Sequence, residues 1–412
     1  MKTQGSSQSK EGKNGKKKYD AQYIRSLLMG GVFGGVAGCS ILFAMGAERI
    51  AEQTKLEFLC SYMGLVLFMI VSYLIHMIIH EGGHLLFGLL SGYKFCSFRV
   101  GSIMLQKYED GLKWKRFSLA GTGGQCLMEP VDVEMEQFPT VLYNLGGILV
   151  NLIVAAAGIL GAILVTRESV WFPFLLELGI IGIAVAVFNG VPIQGTVPND
   201  GWNAIHFAKN TNLKKLFWCQ LKINALQVRG VRLKDMPQEW FALPEEGTDG
   251  TGSLKDMPQE WFALPEEGTD GTGIMLAFSE NRAMDLHDFA TAQSLIDRML
   301  EENTVGIYKA LCLADQAYIS VLQHGTQASL SMLEEKEIAM ILKQMRKYPS
   351  VLRANYAIAL LKEQDTEKAA AIKAEYQKVT ETYPLQADLA SEAELFALAD
   401  QQAEQCQKKE QS

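Results

Sequence analysis

The residues His80-Glu81-Gly82-Gly83-His84 carry the clearest chemistry in this chain. On a helix, two histidines four residues apart present their imidazoles one turn apart on one face. There both can bind a single zinc, and the glutamate beside the first acts as general base. The motif sits near the end of an almost uninterrupted apolar run from Phe58 to Leu90. Ionisable groups at membrane depth are costly, so three of them in such a run point to function. A catalytic zinc keeps three protein ligands and one open position, so a third ligand must come from elsewhere. The extended motif that supplies a third histidine would need Gly and His where this chain has Phe87 and Leu90. The nearest downstream acid, Glu109, falls in a polar turn with Asp110 and Gly111. The remaining candidate is Asp200, in Pro198-Asn199-Asp200-Gly201. His76 continues the histidine stripe, but eight residues of helix rise about 12 Å, so His76 and His84 cannot share one ion. His76 is expected to be a hydrogen-bonded core histidine, Glu177 to make a structural hydrogen bond and His206 to lie at an interface.

Four apolar runs are long enough to cross a bilayer: Ser26–Gly46, Phe58–Leu90, Val141–Val165 and Val170–Val191. The tail before the first run carries Lys2, Lys10, Lys13, Lys16, Lys17, Lys18 and Arg25 against Glu11 and Asp20. By the positive-inside rule it is cytosolic. Alternation then delivers HEGGH at the cytosolic end of the second span, and the Val141–Val165 and Val170–Val191 runs return the chain to the same side just before Asp200. Lys94, Arg99, Lys107, Lys113, Lys115 and Arg116 in the loop between agree with that side. Within this loop, Lys94–Val100 and the stretch through Met104-Leu105-Gln106 alternate as short strands around Gly101-Ser102, which predicts a small β-hairpin element after HEGGH. Gly30, Gly34 and Gly38 in the first run form a small-residue row for close helix packing.

The sequence Leu233–Gly252 recurs unchanged as Leu254–Gly273. Two copies are too few for a solenoid, and the segment is expected to be a linker. Beyond it, Ala283–Leu300, Ser331–Met345 and Val351–Val379 show helical periodicity. Tyr356, Ala357, Leu360, Leu361, Ala369, Tyr376 and Pro384 loosely match a tetratricopeptide hairpin. The expected organisation is a basic tail over 1–25, a transmembrane metalloprotease domain over 26–210, a linker over 211–273 and a cytosolic helical domain over 274–412. The expected fold class is an α-helical polytopic membrane protein with a soluble helical C-terminal domain. A net charge of −8 argues against nucleic acid as a partner. The seven cysteines, Cys39, Cys60, Cys96, Cys126, Cys219, Cys312 and Cys406, contain no CxxC pair, so neither a disulfide framework nor a thiolate zinc site is suggested.

HEGGH, the Gly147 and Asn151 of NLGGILVN, and Asn189-Gly190-Val191-Pro192 followed by Asp200-Gly201 together resemble the site-2 protease family of intramembrane zinc metalloproteases. The matches cover residues 58 to 203, about half of the chain. The resemblance implies that His80, His84 and Asp200 bind zinc, that Glu81 activates the water and that Asn151 assists substrate or oxyanion binding. The chain departs from the family in having Asn199 before the Asp-Gly pair, and Gly-Gly-Ile-Leu-Val before Asn151. The implied activity is endopeptidase cleavage of a membrane-spanning substrate near the cytosolic side, with the helical domain recruiting a regulator. The alternatives are a catalytically idle membrane scaffold and a peptidase that matures small signal peptides. Both termini are expected in the cytosol of a multi-pass cell-membrane protein.

Overall fold

The computed structural model describes residues 54–108, 110–117, 123–135, 137–192, 198–241, 272–301 and 307–410. The basic tail, the Ser26–Gly46 run with its glycine row, Glu109 and most of the tandem repeat lie outside the described residues. Among the described residues, three helices are long and apolar enough to cross a membrane: α1 (Lys55–Leu90), α2 (Val141–Leu164) and α3 (Trp171–Gly190). Their bounds lie within a few residues of three of the four apolar runs. The chain divides into two compact units, one of 54–79 with Ile148–Phe188, the other of His80–Gly147 with the described residues from Asn189 onward.

In the first unit, small residues allow α2 and α3 to approach closely. A Cβ on Gly158 would lie 2.9 Å from the Leu175 carbonyl oxygen, and one on Gly179 would lie 3.1 Å from that of Ala155. Such contacts substitute packing for the hydrophobic drive that lipid removes. Phe68 of α1 meets Phe174 of α3 edge to face, with ring centroids 5.5 Å apart. His76 is fully buried here. Its Nε2 donates to the Leu178 carbonyl at 2.8 Å and its Nδ1 lies 3.1 Å from the Asn151 side-chain oxygen. A Cβ on Gly182 would fall 2.6 Å from His76 Nε2, so Gly182 is the space the ring occupies.

The second unit is built on an antiparallel sheet of order β3-β2-β1-β4, from β1 (Lys94–Val100), β2 (Ile103–Tyr108), β3 (Gly111–Arg116) and β4 (Gly124–Glu129). The predicted hairpin is β1–β2, turning on Gly101 at a φ of 58°, which suits glycine. Helices α4 (Asp200–Lys209) and α5 (Thr211–Val228) follow, and α5 lies against β4, where Glu129 accepts from Lys222 at 2.9 Å and pairs with Arg229. The expectation of a linker from residue 211 is corrected for the described part. Thr211–Val228 is helix, with Ile223 and Ala225 fully buried, and Leu233, Met236 and Phe241 of the first repeat copy are buried with them. Apolar spacing at three and four residues in α5 and the buried 3-10 turns Leu233–Asp235 and Gln238–Phe241 account for this.

The remaining helices are α6 (Thr272–Asp285), α7 (Phe289–Glu301), α8 (Ile307–His324), α9 (Lys336–Gln344), α10 (Pro349–Ala357), α11 (Thr366–Thr380) and α12 (Gln386–Glu410). They share the compact unit that contains HEGGH. Gln106 of β2 donates to the Pro384 carbonyl at 2.9 Å, Lys115 of β3 to the Glu381 carbonyl at 3.0 Å, and Phe117 meets Tyr383 edge to face. Arg232 pairs with Asp285 and Glu394. Inside the helices, fully buried Arg353 pairs with Asp315 and, at 3.1 Å, with Glu392.

Burial pushes the carboxyls of Asp388 and Glu392 up to about 7. Gln227, which donates to Asp388 at 2.6 Å, and Arg353 beside Glu392 only partly offset this. Both acids therefore fold more readily protonated, so the stability they contribute is fully present below the ordinary carboxyl range and is lost as pH rises toward 7. Thermal unfolding of the protein should show a Tm that falls between about pH 4.5 and 7, and Asp388→Asn with Glu392→Gln should flatten that fall. An unchanged slope in the double variant would show that these two groups do not set it.

Candidate metal centre

Three atoms from two parts of the sequence converge in the second unit. His80 Nε2 lies 2.9 Å from Asp200 Oδ2, His84 Nε2 lies 3.4 Å from the same oxygen, and the two imidazole nitrogens are 3.2 Å apart. Ligand atoms at the usual zinc distances on a tetrahedron are about 3.3 Å from one another. The three donors are therefore already spaced as edges of such a site, and among the described residues this is the one group of His, Cys, Asp or Glu side chains so placed.

Each donor is held by its surroundings. His84 donates from Nδ1 to the Tyr143 carbonyl at 2.8 Å, which fixes the tautomer that leaves Nε2 free to ligate. His80 lies against Gly147, where a Cβ would be 2.6 Å from the ring nitrogen Nδ1. Gly83 and Gly146 bring α1 and α2 together so tightly that a Cβ on Gly83 would collide with the Gly146 carbonyl oxygen. Gly82 has open space on its side. Of the two glycines inside HEGGH, one is thus a packing residue and the other lies beside a gap.

Asp200 owes its place to its neighbours. Asn199 caps α4, its side-chain oxygen accepting from the Trp202 amide at 3.0 Å while its side-chain nitrogen donates to the Val191 carbonyl at 2.7 Å. This makes Asp200 the first helical residue and ties the start of α4 to the end of α3. A Cβ on Gly201 would collide with the Gly190 carbonyl oxygen, so this closeness requires glycine. Burial alone would raise the Asp200 carboxyl, but the imidazoles of His80 and His84 beside it hold it well below the usual carboxylate range. Replacing Asn199 by Ala should cost about 1 kcal/mol of stability through the lost cap. A lowered Tm would register it; an unchanged Tm would mean that Asn199 does not hold α4.

Glu81 points to the sheet. A Cβ on Gly124, the first residue of β4, would lie 2.5 Å from Glu81 Oε1. Gly124 pairs with Val100, and directly opposed residues share a face, so Glu81 stands over the face that carries Val100. Arg99, buried on the other face, donates to the carbonyls of Gly101 at 2.8 Å and Gly124 at 3.4 Å and so fixes the β1–β2 turn and the start of β4. Sequence reasoning gave Gly124 no role and counted Arg99 only as a cytosolic-side charge, whereas Arg99 is buried. The signal open to it was the glycine pair Gly123-Gly124 at the start of the strand, which lets another side chain approach the backbone closely.

Compared with known protein families, curated proteins and solved structures, this chain matches none. Of the residues singled out in the sequence, His80, His84 and Asp200 come together and Glu81 stands beside them. The side-chain oxygen of Asn151 lies 3.1 Å from His76 Nδ1. His76 is a hydrogen-bonded core histidine. Glu177 is fully buried, and its carboxyl oxygens find no hydrogen-bond partner among the described residues, so the expected structural bond is not seen there. His206 stacks on Trp202 and contacts its carbonyl within α4.

Proposed function

We propose that this chain is a zinc-dependent intramembrane endopeptidase. The observation that carries the reading is the convergence of His80 Nε2, His84 Nε2 and Asp200 Oδ2 at tetrahedral spacing, with a carboxylate that is not part of the triad beside it. Two imidazoles and one carboxylate suit zinc in a site that keeps a fourth position open. A zinc ion held there supplies a water of lowered pKa and polarises the scissile carbonyl. Glu81 takes the water's proton as the hydroxide adds to the carbonyl carbon, and passes it to the amine nitrogen as the C–N bond breaks. Gly124 and Gln125 are the two β4 residues that are not buried, so an extended peptide reaching Glu81 meets the strand at its exposed start. By resemblance, Asn151 assists substrate or oxyanion binding.

The same reading makes the protein a multi-pass cell-membrane protein with four spans and both termini cytoplasmic. Its C-terminal helices, tetratricopeptide-like in pattern, bind a protein regulator. Substrates are membrane-spanning proteins, cut near the cytosolic side, or small signal peptides. An idle scaffold would have no use for Glu81 beside a complete ligand set. The test is purified protein incubated with a single-span model substrate, with the products mapped by mass spectrometry. Cleavage at a site near the cytosolic end of the span, stopped by a chelator and restored by zinc, is expected; an intact substrate under these conditions, or chelator-resistant cleavage, contradicts the reading.

A further inference from the structure

The sheet of the second unit has two unlike faces. On one, Ser97, Arg99, Met104 and Gln106 are buried, and Gln106 bonds to the C-terminal helices. The strand register places three rows on the other: Phe98–Leu105–Trp114, Val100–Ile103–Arg116 and Lys107–Leu112. Toward β4 this face is covered, and Glu81 stands over Gly124 there. Toward β3 no described residue covers it: Ile103 is 58% exposed, Leu112 59% and Trp114 72%. Lys107 and Arg116 flank these residues and no acid stands in the three rows.

We infer that this open end of the sheet docks on the anionic lipid interface of the bilayer, Ile103, Leu112 and Trp114 entering the acyl boundary while Lys107 and Arg116 meet lipid phosphates. Two features of the chain select lipid over another protein. The first is chemical: an indole and aliphatic side chains rimmed by cations suit the headgroup region of an anionic leaflet, whereas a second copy seated on the same rows would set Lys107 and Arg116 against their own kind. The second is continuity. The last turns of α1 leave Leu86, Leu89 and Leu90 half or more exposed. Strand β1 begins at Lys94, and four residues of chain reach at most about 14 Å. If α1 is wrapped by lipid to its end, the sheet starts at the lipid–water boundary. The inference therefore rests on the membrane-spanning reading above. It adds that the sheet bearing the strand beside Glu81 is itself held at the bilayer surface, and that its hold depends on lipid charge.

The test uses the full chain reconstituted in vesicles of phosphatidylcholine with phosphatidylglycerol, with either lipid brominated on its acyl chains. Trp114 emission is taken as wild type minus Trp114→Phe, and Trp171 emission, as a reporter on α3, as wild type minus Trp171→Phe. Trp114 should lose most of its emission to brominated lipid and resist aqueous iodide. Omitting phosphatidylglycerol, or introducing Lys107→Glu with Arg116→Glu, should restore iodide access. Trp114 quenched by iodide and untouched by brominated lipid, while Trp171 is quenched by lipid, overturns the inference and leaves the spans standing. Trp114 shielded from both quenchers means a protein surface covers the face, and also overturns it. Equal shielding without phosphatidylglycerol removes the anionic requirement. Escape of both tryptophans from lipid would defeat the membrane-spanning reading as well.

Discussion

Glu81→Gln should leave about one metal ion bound per chain and slow peptide-bond cleavage by about 10²- to 10⁴-fold, the range supplied by a positioned general base. Gln fills the same space and removes the proton acceptor. The three atoms that converge belong to His80, His84 and Asp200 and not to Glu81, so metal content has no reason to change. A milder companion is Gly124→Ala, whose Cβ would stand 2.5 Å from Glu81 Oε1. It should displace the carboxylate, lowering kcat while leaving the metal in place. Cleavage by Glu81→Gln at the wild-type rate, measured on a co-expressed substrate, would remove Glu81 from the chemistry.

The second large effect concerns the C-terminal helices. Read from sequence, they begin a separate domain, and a site complete by Asp200 would survive their removal. The packing predicts the opposite. Deleting 274–412 strips Met275 from the core of Trp218, Leu233 and Phe241, removes the Pro384 and Glu381 carbonyls from Gln106 and Lys115, and leaves Arg232 without Asp285 and Glu394. Uncovering each fully buried large apolar side chain alone costs about 1.5–3 kcal/mol. Together the losses rival the roughly 5–15 kcal/mol by which a typical domain is stable. The truncated chain should therefore lose bound metal and become sensitive to limited proteolysis within Lys94–Glu129. A truncated protein with wild-type metal content and proteolytic resistance would restore the reading of an independent domain.

Much of this was legible in the sequence because membrane-length apolar runs and a pair of histidines at one-turn spacing are strong local signals. Three of the four runs appear as α1, α2 and α3, and Lys94–Val100 is a strand with the bounds that its alternation indicates. Asp200 was reachable by asking which acid could complete the zinc set. Other features depend on long-range contact and left little local trace. Strand β4, GQCLME, has three apolar residues in a row and no alternation, and the role of Gly124 appears only against Glu81. Strand β3, GLKWKR, does alternate, but four of its six residues are Gly, Lys or Arg, which mask it as a loop. Thr211–Val228 was grouped with the tandem repeat as linker, and its pairing with the sheet through Lys222 and Glu129 left no local trace. Asn199, counted as a departure from a family pattern, proves to be the cap that sets Asp200 in place.

His80, His84 and Asp200 are proposed to form one metal site. Elemental analysis of protein purified without added metal, run in parallel on wild type, Asp200→Ala and His76→Ala, tests it most directly. Close to one zinc per chain is expected in wild type, with near-complete loss in Asp200→Ala and retention in His76→Ala, whose ring is engaged with Asn151 and Leu178. Zinc retained in Asp200→Ala, or lost in His76→Ala from protein that is still folded, would contradict it.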